Sequence, residues 1–200
     1  MKDFDISPEP IKIFLDAADS VLNSNTFLLR FEIHSDRIED SLLRFLKSDD
    51  FMKQLTHQDT VRGWRNLYYY DEHTESYKLR HGTILKEPLR LQIEGPPSDK
   101  REYLTAMLTG DTTKGRFFSF YGKQLELKKA EAIVDDLTSF LSDRRDWELL
   151  VVQPDFLKDG VETNSKDEDL HYFEGGNAND NAVVIKCNEK GFLLLTNGID

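Results

Sequence analysis

The sequence predicts an α+β fold: a single domain over residues 1–200, with a mainly antiparallel β-sheet packed by about three to four helices and a C-terminal β-hairpin. Three observations indicate this class. Helix and strand patterns follow one another without the regular alternation that builds parallel sheets. The middle of the chain holds short aromatic and β-branched segments between polar breaks, which is typical of antiparallel hairpins. The end of the chain carries two apolar runs on either side of a polar turn.

The N-terminal part of the chain predicts a helix, a strand and further helix. Apolar residues between Ile11 and Leu22 recur at helical spacing, and the preceding Ser7-Pro8 is typical of a helix start. Residues 26–34 alternate between apolar and polar side chains, which predicts a strand. Residues 38–46 resume a helical pattern, and Ser48 begins a short additional helix.

The middle of the chain predicts hairpins followed by the clearest helix. Residues 61–72, 76–81 and 88–95 have the composition of antiparallel strands. Residues 98–110 fit both a capped helix and an alternating strand. An aromatic segment between two glycines, residues 115–122, predicts a strand. The helix predicted next, over residues 127–142, has one continuous apolar face.

The C-terminal part predicts a buried strand over residues 147–154, a long acidic loop and the closing hairpin. Residues 155–181 hold eight acids, two lysines and few large apolar side chains, which favours a surface loop. The hairpin turns at residues 188–191, where we expect Gly191 to take a positive φ. The only cysteine, Cys187, excludes an intramolecular disulfide, and its strand pattern predicts a small packing residue.

The net charge of −11 is unevenly distributed along the chain. Residues 1–50 hold eleven acids and six bases, and residues 151–200 hold ten acids and four bases. Residues 51–150 hold sixteen of each, and the stretch 61–130 within them is basic, with thirteen bases and nine acids. A chain with acidic ends and a basic centre is expected to steer charged partners.

Hydropathy predicts a protein that neither crosses nor enters a membrane. The longest apolar runs, such as FLLL at residues 192–195, are far shorter than the roughly 20 residues of a spanning helix. The N-terminus lacks the basic start and long apolar segment of a signal peptide. We therefore expect the protein to reside in the cytoplasm.

Residues 121–132, YGKQLELKKAEA, contain an acid-x-lysine pair, Glu126 and Lys128. Asp111 lies fifteen residues before that glutamate, and Asp99 is a second choice for the first acid. This spacing resembles the D…E-x-K pattern of the PD-(D/E)xK nuclease family, although Gly110 stands where the family has a proline. The resemblance implies a Mg²⁺-dependent phosphodiesterase, in which the two carboxylates hold the metal and the lysine orients water near the phosphate. The alternative is ordinary surface charge at the start of a helix.

Other patterns do not indicate a metal or catalytic site. The five histidines lack metal-ligand spacing, and there is no nucleophile elbow, Walker loop or dinucleotide fingerprint. In residues 175–186, asparagines occur at alternate positions, but the segment lacks the glycine and glutamate of an EF-hand calcium loop. Residues 61–70 place aromatics between bases, as nucleic-acid platforms do, but the net charge opposes binding to phosphate. We therefore expect no nucleic-acid partner.

The acidic segment 155–174 is the predicted partner-binding site, and its expected partner is a basic protein. The segment combines carboxylates with aromatic side chains, which would give anchors within a charged rim. The six predicted binding residues are Asp167, Glu168, Asp169, Tyr172, Phe173 and Glu174. The alternative is a solvated loop.

Two functional classes follow from the sequence. The first is a non-enzymatic, acidic cytoplasmic protein without a cofactor that neutralises or regulates a macromolecule. Immunity proteins and antitoxins against basic toxin enzymes have this general character. The second is the metal-dependent nuclease built on Asp111, Glu126 and Lys128, with Mg²⁺ as its cofactor.

Overall fold

A computed structural model describes residues 4–34, 37–64, 68–71, 73, 76–79, 93–115, 117–119, 121–142, 146–152 and 181–198. Its order is helix, strand, two helices, three short strands, two helices and three strands. The helices are α1 (Glu9–Leu22), α2 (Ile38–Leu46), α3 (Asp49–Val61), α4 (Lys100–Thr109) and α5 (Leu127–Leu141). The strands are β1 (Ser24–Glu32), β2 (Tyr68–Asp71), β3 (Ser76–Leu79), β4 (Ile93–Glu94), β5 (Glu148–Val152), β6 (Asn181–Cys187) and β7 (Lys190–Gly198).

The main sheet is antiparallel throughout, in the order β1-β7-β6-β5-β4, while β2 and β3 pair separately as a hairpin. Helices cover both faces of this sheet. Helices α1, α4 and α5 pack on one face, and α2 and α3 pack on the other. Both faces of β6 and β7 are therefore buried, which explains their nearly continuous apolar sequence. The predicted α+β class, antiparallel sheet and C-terminal hairpin are confirmed.

The described part holds five helices, where the sequence predicted about three to four. The ambiguous segment is α4, whose N-cap Asp99 accepts hydrogen bonds from the N–H groups of Arg101 and Glu102. Six consecutive residues of α4, from Tyr103 to Leu108, are buried. A helix buried on all sides lacks a polar face, so helical periodicity could not distinguish it from a strand.

The strand predicted over residues 115–122 is wrong for the residues that the structure describes there, which form a loop. Phe117 is fully buried, and its ring meets that of Tyr103 edge-on at 5.1 Å. Gly122 has a φ of +62° and closes a turn by donating its N–H to the Ser119 carbonyl. The aromatic pattern therefore reflects a loop anchored by one ring.

The C-terminal hairpin is confirmed, but glycine has a different role in it than predicted. The positive φ in the turn belongs to Asn188, at +55°. A Cβ on Gly191 would lie 2.2 Å from the ring of Phe31 on the neighbouring strand β1. Glycine is needed at this position because the phenylalanine ring crosses the backbone there.

Strand β1 lies at the edge of the main sheet, and side chains of α3 bind its outer backbone edge. Gln58 donates to the Leu28 carbonyl at 2.6 Å and accepts from the Leu28 N–H at 3.1 Å. Gln54, one turn earlier, makes the same pair of bonds with Arg30, both at 2.8 Å. Both glutamines are buried. Their amides take the place of a neighbouring strand, which protects an edge that would otherwise pair with another chain.

The same edge continues to a charged cluster between α1 and the end of α3. Asp19 accepts from the Thr26 N–H at 2.7 Å, and Arg62 contacts Asp19 at 2.6 Å and Asp16 at 3.0 Å. The Arg62 guanidinium also lies 4.8 Å from the ring centroid of Trp64. Burial raises the pKa of Asp19 to about 6, which outweighs the lowering by Arg62 and Thr26.

Removing one glutamine amide is expected to destabilise the fold. In Gln58→Leu, the N–H and C=O of Leu28 lose their partners in a buried position, which costs about 2–5 kcal/mol of unfolding free energy. The exposed Gln124 is the matched control, and its replacement by leucine is expected to cost less than about 0.5 kcal/mol. Urea unfolding followed by circular dichroism measures both, and equal costs would contradict the edge-binding role.

Asp19 is expected to make stability depend on pH. Its folded pKa of about 6 lies above the ordinary 3.8, so its stabilising contribution is complete below about pH 4 and is lost as pH rises through about 6. Wild type should lose up to about 3 kcal/mol more than Asp19→Asn between about pH 4 and pH 7.5. Urea unfolding at both pH values measures this difference, and the same pH dependence in both proteins would contradict it.

Candidate functional site

The predicted partner-binding residues, Asp167 to Glu174, lie outside the described residues, as does the rest of the acidic segment from 153 to 180. The structure instead shows where that segment begins and ends. Val152 closes β5 and pairs with Ala182 near the start of β6. The acidic stretch is thus attached at both ends to one end of the main sheet, and Asn181 belongs to β6 and not to the predicted loop.

A cleft of about 430 Å³ opens at these attachment points. Val152 and Asn181 form part of its wall, together with Glu94, the Pro96-Pro97 turn, Tyr103 and Lys114. The cleft therefore lies where β4, β5 and β6 meet α4 and the loop that follows α4.

The cleft is lined by the acidic side chain of Glu94, the basic side chain of Lys114 and the buried phenol of Tyr103. Lys114 pairs with Glu102 at 3.1 Å, which ties the loop after α4 back to that helix. Burial raises the pKa of Tyr103 to about 12, and the charge of Glu94 adds to the rise. Tyr103 is therefore a protonated hydrogen-bond donor at neutral pH.

A second cleft of about 430 Å³ lies between α4, the end of α5 and the start of β5. Lys100 donates to the Trp147 carbonyl, and its ammonium lies 4.5 Å from the centroid of that ring. Arg101 binds Asp135 through two hydrogen bonds of 2.6 and 2.7 Å. The polar groups of this cleft bind one another, which is typical of a structural contact between two helices.

The structure places the three nuclease candidates on neighbouring segments. Asp111 follows α4, and its carboxylate accepts from the N–H and hydroxyl of Thr113, which lowers its pKa. Glu126 immediately precedes α5 and makes no capping hydrogen bond, and Lys128 lies exposed in the first turn. The Leu125 N–H donates to the Leu108 carbonyl at 3.1 Å, so the backbone just before Glu126 contacts the last turn of α4, which precedes Asp111.

Neither a metal-binding cluster nor a reactive thiol is present in the described part of the chain. No group of three or more His, Cys, Asp or Glu side chains there could hold a metal ion. Cys187 is buried, and burial raises the pKa of its thiol to about 11, so it acts as a packing residue as predicted. Among the described helices, none has the length and apolarity needed to span a bilayer.

Sequence patterns missed both clefts and the partly buried Asp19–Arg62 pair. Each depends on side chains brought together from distant segments, such as Arg62 and Asp19, 43 residues apart. The stretch YGKQLELKKAEA, singled out in the sequence for its acid-x-lysine pair, belongs to neither cleft and lies at the start of α5.

Comparisons with known proteins give no relative. No protein-family model, no curated protein and no solved structure matches this chain.

Proposed function

We propose that the protein is an acidic cytoplasmic binding protein that neutralises or regulates a basic protein partner, as immunity proteins and antitoxins do with toxin enzymes. The main support for this proposal is the concentration of negative charge in residues 153–180, between β5 and β6. Residues 153–180 contain eight acids and two lysines, a net charge of −6 out of −11 for the chain.

The attachment of this segment supports the proposal. Its two ends leave the sheet at paired positions, Val152 and Ala182, which belong to strands buried against helices. Six net negative charges are therefore tethered to one end of a packed domain. A locally concentrated charge raises the rate of encounter with an oppositely charged partner.

The composition of the segment supports binding beyond simple attraction. Tyr172 and Phe173 stand between Asp169 and Glu174 in the sequence. Aromatic anchors within a charged rim are the combination that dominates the binding energy of many protein interfaces. A basic protein with an apolar cavity would fit both features.

Neutralising four of the acids is expected to weaken binding of the partner. The test variant carries Asp167→Asn, Glu168→Gln, Asp169→Asn and Glu174→Gln. We expect wild type, immobilised at low salt, to retain a basic protein from its own cells and release it as salt rises. The variant should bind at least about tenfold more weakly, with a flatter salt dependence.

The matched control removes four charges from described, exposed positions elsewhere. It carries Asp40→Asn, Asp136→Asn, Asp146→Asn and Glu189→Gln. Purified partner is titrated against all three proteins by calorimetry. Retention of no basic protein by wild type, or equal weakening in both variants, would contradict the proposal.

The nuclease hypothesis is the second candidate, and it is favoured by the backbone hydrogen bond that joins Leu125, next to Glu126, to Leu108 in the last turn of α4, close in sequence to Asp111. It predicts Mg²⁺- or Mn²⁺-dependent cleavage of DNA or RNA. Glu126→Gln should reduce cleavage by at least about 100-fold, since a metal ligand is lost. Glu131→Gln on the same helix is the control, and cleavage that is absent, or unaffected by Glu126→Gln, would exclude this reading.

A further inference from the structure

Three exposed large apolar side chains lie close together in the sequence, just before and at the start of α5. Six such residues are more than a third exposed in the described part of the chain, and three of them fall within ten residues. These are Phe118 at 47%, Tyr121 at 69% and Leu127 at 60%. Exposed apolar groups that cluster mark an interaction surface more often than scattered ones do.

The segment that carries these side chains is held in place by hydrogen bonds. The Asp111 N–H donates to Ala106 at one end of the loop, and the Leu125 N–H donates to Leu108 at the other. Within the loop, the Ser119 hydroxyl donates to the Lys123 carbonyl at 2.8 Å. A surface ordered in advance loses little conformational entropy when it binds.

The segment from Lys123 to Lys129 has a net positive charge. Lys123, Lys128 and Lys129 are exposed in it, and Glu126 is the single acid between them. The Lys123 ammonium lies 5.9 Å from the ring centroid of Tyr121, so charge and aromatic surface are presented together. We name Phe118, Tyr121, Lys123, Leu127, Lys128 and Lys129 the 118–129 surface.

We propose that the 118–129 surface binds an acidic segment of a second protein partner, a function separate from that of residues 153–180. Acidic side chains complement its lysines, and apolar side chains of the same segment cover Tyr121 and Leu127. This inference does not depend on the basic partner proposed above.

The net charge of the chain favours an acidic protein segment over other anions as the ligand of the 118–129 surface. Nucleic acids and anionic membranes present dense negative charge over distances larger than this surface, and the chain as a whole carries −11. A short acidic segment contacts only the local lysines, within the screening length of about 8 Å at physiological salt. The acidic protein segment is therefore the favoured occupant.

The test selects peptides from a displayed library of random dodecapeptides on immobilised wild-type protein. A double variant, Tyr121→Ser with Lys123→Ser, serves for counter-selection. We expect the enriched peptides to be net negative with at least one large apolar residue. Their affinity, measured by fluorescence anisotropy, should fall at least about tenfold in the double variant.

The control variant carries Phe140→Ser and Lys53→Ser, which remove an exposed ring (47%, against 69% for Tyr121) and an exposed lysine at other places. It should bind the selected peptides as wild type does. Circular dichroism of each variant establishes folding. No enrichment, enrichment without acids, or equal loss in both variants would overturn the proposal. Tighter binding to oligodeoxythymidine or to phosphatidylserine vesicles than to the peptides would overturn it in favour of those anions.

Discussion

The outer edge of β1 is the constraint on which the arrangement of the first three helices depends. Its backbone groups must find partners, because helices bury the strand on both faces. Gln54 and Gln58 of α3 supply four of these hydrogen bonds. Asp19 of α1 accepts from Thr26, and Ser41 of α2 accepts from His34 just past the strand. Each helix is thus positioned along the strand by a polar contact, and apolar packing fills the space between.

Local periodicity was enough to predict the elements that have one buried face. Helix α5 was recognised in this way, because its exposed polar face alternates with a buried apolar one. Strand β1 was recognised from the alternation of residues 26–34, although helices bury it on both faces. Periodicity failed where burial is complete, as in α4, and where one ring anchors a loop, as Phe117 does. The glutamine contacts with β1 could not be predicted, since Gln58 and Leu28 are 30 residues apart and a buried glutamine resembles a surface one in sequence.

The candidate sites show the same division between local and long-range information. The acidic segment is a property of composition and could be recognised without a structure. The 118–129 surface could not, because aromatic and aliphatic residues predict burial until their exposure is known. Tyr121 and Phe117 lie four residues apart in one loop, yet one is 69% exposed and the other is fully buried. Together, the two proposals describe an adaptor-like molecule with one acidic and one basic contact region.

Cys187 has a practical consequence beyond its packing role. It is the only thiol in the chain, it is 5% exposed, and it lies in the central strand β6. Because the thiolate is the reactive form and the pKa is about 11, alkylating reagents should react slowly with the native protein and quickly once β6 and β7 separate. The rate of modification therefore reports how often the sheet opens. Cys187 can therefore serve as a natural probe of sheet opening, without an introduced label.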